Sequence, residues 1–159
     1  MSSRDLIRMS EEERLALLDS ERVVIVTSLG PRGWPHSMPM WFVVREGEVW
    51  IWTYGSSQKV RNLERDPRVT LLVEAGESYE ELRGVMVEAE AELVTDAEQV
   101  VALGRELGAR YGGGAVETPE AEEALLRQAR KRVAIRFVPR RTVTWDHRKL
   151  AAATNQKGD

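Results

Sequence analysis

Apolar residues follow two periods along this chain, and the changes of period mark its elements. After Ser10 three glutamates lead into Leu15, Leu17 and Leu18. Ser10 with Glu13 forms a capping box, so the pattern predicts a short helix over 11–19. Residues 22–28 (RVVIVTS) are β-branched and almost wholly apolar, which predicts a strand buried on both faces. Gly30-Pro31-Arg32-Gly33 is a turn. Residues 38–45 and 48–54 are two more strands, joined as a hairpin across Glu46-Gly47. Residues 57–65 have helical spacing, with Val60 and Leu63 on one face. Asp66-Pro67 stops that helix, because the residue before proline avoids the helical region. Residues 68–75 predict a fourth strand.

Residues 80–95 alternate: Val85, Val87, Ala89, Ala91 and Leu93 take one face, and Glu88, Glu90 and Glu92 the other. A long strand with one wet face belongs to an antiparallel sheet or barrel. A second capping box, at Thr95 and Glu98, opens a third helix, with Ala97, Val100, Val101, Gly104, Leu107 and Tyr111 at helical spacing. Gly112-Gly113-Gly114 ends it. Thr118-Pro119 opens a fourth helix, running to about Lys131. Residues 132–139 and 142–145 are the last strands, and the small, polar tail 151–159 reads as flexible. Strands and helices do not alternate regularly, so a doubly wound parallel sheet is excluded. The fold class is mainly β (α+β): six or so antiparallel strands in a small barrel with peripheral helices, as one domain over 1–150.

Composition narrows the chemistry. The chain has 159 residues, enough for one core, and no cysteine, which removes disulfides, iron–sulfur clusters, thiolate zinc sites and a thiol nucleophile. Two histidines are too few for most all-histidine metal sites, so no metal is expected. The net charge is −3, which argues against a nucleic-acid coat. No apolar run approaches the roughly 18 residues of a membrane span, and the acidic N-terminal stretch is no signal peptide, so a cytoplasmic protein is expected.

The segment Trp52-Thr53-Tyr54-Gly55-Ser56-Ser57-Gln58-Lys59-Val60-Arg61-Asn62-Leu63 carries the candidate chemistry. A strand end, a small-residue turn and a helix start bring free N–H groups, two hydroxyls and Lys59 to one spot, which suits a phosphate. Lys59 and Arg61 oppose the helix dipole there, which makes sense with an anion between them. From the residues alone a second reading stands beside this one: Ser56 is an N-cap, and Lys59 and Arg61 are a solvated face.

Thr53 to Lys59, then Leu63, then Asp66-Pro67-Arg68-Val69, resembles the flavin-binding split-barrel family of pyridoxamine 5′-phosphate oxidase. The resemblance covers roughly residues 20–95, and 132–146 fit the family's order. It implies an antiparallel split β-barrel, and that Thr53, Ser57, Gln58 and Lys59 hold the phosphate and ribityl part of a flavin. One departure matters. The oxidase carries an Arg, then a Lys five residues later, on the preceding strand, but Met38-Pro39-Met40-Trp41-Phe42-Val43-Val44 has neither, so vitamin B6 oxidation is not implied. The stretch 33–42 and the ending Val143-Thr144-Trp145-Asp146 look like the flavin/deazaflavin oxidoreductase branch. Members of that branch mostly use the 8-hydroxy-5-deazaflavin coenzyme, some FMN, and others bind biliverdin or fatty acid.

The resemblance therefore implies a homodimer with two sites between subunits, passing a hydride to a small unsaturated or quinone-like substrate. The cofactor is the 8-hydroxy-5-deazaflavin coenzyme or FMN, with the former ranked first because the Arg/Lys pair is missing. Met40 and Trp41 would flank the ring, Thr53 and Asn62 orient the chain, and Trp52, Arg110 and Trp145 complete the cofactor-binding set. No catalytic acid or base is named, since the cofactor carries the redox chemistry. The alternative is a non-catalytic carrier of FMN, haem, tetrapyrrole or lipid on the same fold. His36 reads as a loop histidine ordering its turn, and His147 as solvated. The Glu88, Glu90 and Glu92 row reads as a wet sheet face, and Arg127, Arg130, Lys131 and Arg132 as cations suiting a helix C-terminus.

Overall fold

The computed structural model describes residues 2–112 and 117–155, with side chains through residue 152. Seven strands form one antiparallel sheet: β1 (Val24–Leu29), β2 (Pro35–Met40), β3 (Val43–Arg45), β4 (Glu48–Tyr54), β5 (Arg68–Ala75), β6 (Arg83–Val94) and β7 (Arg132–Asp146). Their spatial order is β2-β1-β5-β6-β7-β4-β3. Helices are α1 (Ser3–Leu6), α2 (Glu11–Ser20), α3 (Gln58–Arg65), α4 (Ala97–Tyr111), α5 (Pro119–Ala129) and α6 (Arg148–Asn155).

The two edge strands, β2 and β3, are joined by Trp41 and Phe42 alone. Three Cα steps span at most about 11 Å, so the sheet must curl until its edges nearly meet. This makes the sheet an incomplete, split barrel. It also corrects the expectation of one strand over 38–45. The chain breaks at Trp41-Phe42 because it crosses from one sheet edge to the other, and only β3 forms the hairpin with β4. The two strands expected over 132–145 are one. Glu88 pairs with Arg141 and Ala89 with Pro139, so Arg140 bulges out and β7 runs on through the kink.

The barrel interior is filled from one face of each strand, by Val24, Val26, Ile51, Leu71, Val73, Val85 and Phe137 among others, with Leu18 of α2 and Val60 and Leu63 of α3 closing over them. Residues 22–28 alternate instead of being buried on both faces: Val24, Val26 and Ser28 point inward, Ile25 and Thr27 are half-buried, and Val23 is exposed. A second core lies outside the barrel. Val100, Leu103 and Leu107 of α4 pack there with Val43, Ala129 and Ala134, beside Trp50 and Trp52.

The glutamate row is neutralised. Arg141 pairs with Glu88, Arg140 with Glu90, and Arg136 with both Glu92 and Glu48. Gly112 caps α4, while Gly113, Gly114 and residues 156–159 lie outside the described residues. Residues 151–155, read as tail, continue α6.

Candidate functional site

The β4–α3 junction builds the first half of the site. β4 alternates, so Val49, Ile51 and Thr53 face the interior and Trp50, Trp52 and Tyr54 the outside. Gly55 donates its N–H to the Lys131 carbonyl at 3.0 Å, which ties the turn to the start of β7. Ser57, not Ser56, is the N-cap of α3; its hydroxyl accepts from the Val60 N–H at 3.4 Å. At the other end Asp66 Oδ1 accepts from the Arg68 N–H at 3.1 Å, so the Asp-Pro stop holds the entry to β5.

Lys59 lies in the first turn of α3, and it is not on a solvated face: only 6% of it is exposed. Its Nζ donates to Thr53 Oγ1 at 3.3 Å, and among the described residues no carboxylate accompanies it. Burial holds its pKa below the ordinary lysine value. Arg61, two residues on, is exposed.

Asn62, fully buried, fixes this turn of helix to the barrel. Its Nδ2 donates to Ser28 Oγ at 3.1 Å, and its Oδ1 accepts from Gln58 Nε2 at 2.8 Å and Arg65 Nη2 at 3.3 Å. Ser28 has no place in the sequence reading; the only cue was a hydroxyl at the end of the apolar run 22–28, on its inward phase.

The second half lies on the outer face. Trp52 sits under α4, where a Cβ on Gly104 would come within 2.5 Å of its ring. Trp41, on the β2–β3 crossover, stacks on Tyr111 with centroids 4.6 Å apart and planes 6° off parallel. Tyr111 Oη accepts from the Phe42 N–H at 3.0 Å and lies 2.9 Å from the Phe42 carbonyl, which it can reach as donor. Arg110 places its guanidinium on the carbonyls of Phe42, Leu18, Asp19 and Glu21. Arg110 and Tyr111 thus hold the crossover that carries Trp41. Pro39, Met40, Trp41, Trp52, Tyr111 and Arg132 border a groove of about 680 Å³ between this crossover, α4 and α5.

The structure therefore groups Thr53, Ser57, Gln58, Lys59 and Asn62 at the junction, and Met40, Trp41 and Trp52 along the groove. Trp145 is in neither group. It pairs with Gly84, twelve residues along β7 from Val133, the partner of Thr53. Arg132 is not a helix-terminal cation but the first residue of β7, opposite Tyr54. Its guanidinium lies 4.3 Å from the Tyr54 ring centroid and 4.7 Å from that of Trp52. His36 is on β2, with a buried Nδ1 that has no partner. His147 is anchored, its Nδ1 2.8 Å from the Tyr79 carbonyl.

The family model for pyridoxamine 5′-phosphate oxidase matches residues 10–146. The chain belongs to the pyridoxamine 5′-phosphate oxidase family. A conserved hypothetical protein from Mycobacterium tuberculosis has the same fold at 42% identity and a TM-score of 0.87, covering 95% of this chain and 93% of that one. A structure described as F420 reductase is 25% identical with a TM-score of 0.61, covering 80% and 93%. The haem storage protein HutZ of Vibrio cholerae shares the fold at 20% identity and a TM-score of 0.64, covering 86% and 96%. No curated protein matches the chain in sequence.

Proposed function

We propose that this chain is a flavin- or deazaflavin-dependent oxidoreductase that binds its cofactor's phosphate at the β4–α3 junction. Lys59 carries the reading: a buried ammonium with, among the described residues, one hydroxyl partner and no counter-charge is matched by a phosphate. Val60 gives its N–H to the Ser57 hydroxyl, which leaves the N–H groups of Gln58 and Lys59, at the first two positions of α3, without an intrahelical partner. Lys59, the Ser57 end of the turn and those amides would hold the phosphate. Thr53 holds the Lys59 ammonium in place, and Asn62 with Gln58 keeps α3 seated on the barrel. Met40 and Trp41 would flank the ring, which when bound supplies hydride chemistry to a small unsaturated or quinone-like acceptor. Similarity to the F420 reductase, and the lack of a cationic pair on β2 and β3, favour the 8-hydroxy-5-deazaflavin coenzyme over FMN.

The test is a titration of wild type and Lys59→Ala with FMN and with the deazaflavin coenzyme. A charge-assisted contact is worth about 1.5–3 kcal/mol, so the variant should bind roughly tenfold to a hundredfold more weakly. If neither cofactor binds the wild type, or the variant binds as tightly, the reading is wrong. Steady-state reduction of menadione by the loaded protein separates an enzyme from a carrier.

A further inference from the structure

Among the described arginines Arg132 stands apart. Arg45, Arg105, Arg136, Arg140, Arg141 and Arg148 each pair with a carboxylate. Arg4, Arg32, Arg61, Arg127 and Arg130 have no such partner, but all are exposed to water. Arg132 is half-buried, its Nε is sealed from solvent with no hydrogen-bond partner, and its only contacts of note are the faces of Trp52 and Tyr54. With no carboxylate among the described residues paired to it, this half-buried guanidinium can turn its terminal N–H groups to an anion in the groove.

This cation stands on the wall of the groove bordered by Trp41, Trp52 and Tyr111. The groove's volume, about 680 Å³, is that of a small-molecule site. Its floor is open: a Cβ on Gly108 would meet nothing within 4 Å. Gly108 also borders the adjoining cleft between α4 and α5, where the carboxylates are Glu117 and Glu122, the latter held by Arg105. Positive charge and aromatic faces therefore share one end of the groove.

We propose that this groove binds a flat aromatic anion, with its negative group on Arg132 and its ring against the Trp41–Tyr111 pair and Trp52. That this ligand is the hydride acceptor rests on the flavin reading, since Met40 and Trp41 border both the proposed ring position and the groove. The binding itself does not rest on it.

The experiment uses the full chain without cofactor, titrated by calorimetry with 2-naphthalenesulfonate and with its uncharged relative 2-naphthol. Wild type should bind the sulfonate at least about tenfold more tightly. Arg132→Gln should lose that preference and keep the weaker naphthol binding. Gly108→Leu should fill the groove and lose both ligands while its melting temperature holds or rises. Equal affinity of wild type for the two probes, or wild-type binding by Gly108→Leu, would overturn the site. Lys59→Ala should keep sulfonate binding even as it loses FMN. If no flavin binds at all while the sulfonate pattern holds, the flavin reading fails and the groove stands.

Discussion

Lys59 sets the ligand-free protein's stability against its binding. Its ammonium is buried with a single hydroxyl partner, and desolvation holds its pKa below the ordinary value of 10.5. The unfolded chain then binds this proton more tightly than the folded one. Across the window between the lowered value and 10.5, stability therefore rises with pH, and below that window the buried charge weighs against folding. Replacing Lys59 by methionine keeps the stem and removes the charge. Lys59→Met should stabilise the ligand-free protein at pH 7 by about 1 kcal/mol, or roughly 2–4 °C in Tm. Urea midpoints measured from pH 7 to 10 should show wild type closing this gap as pH rises. A gap that stays constant with pH would mean that Lys59 is not charged and desolvated in the folded state. A residue that costs stability and is held in place by Thr53 is what a binding cation looks like before its anion arrives.

Among elements, α4 shows how close packing and open space alternate within one turn. Gly104 lies where a Cβ would stand 2.5 Å from the Trp52 ring and 2.8 Å from Leu125. Gly104→Ala should therefore destabilise by about 1–3 kcal/mol through overpacking, although alanine is the better helix former. Gly108, one turn on, faces open space, so Gly108→Ala should stabilise by about 0.5–1 kcal/mol. Chemical denaturation of the two variants should give opposite signs, and the same sign for both would deny the groove. Helical spacing placed α4 and both glycines on it, but nothing local told them apart, because Trp52 reaches Gly104 from another strand. The same limit explains the other misses. Alternation made β6 legible, the Glu46-Gly47 turn made β4 legible, and the Ser10–Glu13 capping box made α2 legible. The break at Trp41-Phe42 was not, because it arises from the near-meeting of two sheet edges. The bulge at Arg140 was hidden too, being a matter of register between β6 and β7. At the site, the Ser57-Gln58-Lys59 turn could be read from spacing. The burial of Lys59, the Ser28–Asn62 bond and the stacking of Arg132 depend on residues brought together across the sheet.

For the whole molecule, Trp145 decides what a complete site requires. It lies twelve residues along β7 from the partner of Thr53, a separation of roughly 40 Å at about 3.3 Å per residue before curvature. If Trp145 lines the cofactor ring, it must come from a second copy of the chain. Apolar surface is available for such an association: Trp34, 73% exposed, and Trp41, 59% exposed, flank the edge strand β2, which carries the exposed Met38. We expect a two-fold homodimer burying more than roughly 2,000 Å², with each site taking Thr53 to Asn62 from one protomer and Trp145 from the other. Sedimentation should find a dimer at micromolar concentration. Subunit mixing tests the shared site. Homodimers of Lys59→Ala and of Trp145→Ala should each bind the cofactor weakly. Co-expressed with different tags, the two chains should form mixed dimers in which one site carries both changes and the other neither. With random pairing about half the dimers are mixed, so roughly a quarter of all sites should regain wild-type affinity. If both halves came from one protomer, every site in the mixture would keep one defect and no tight binding would return.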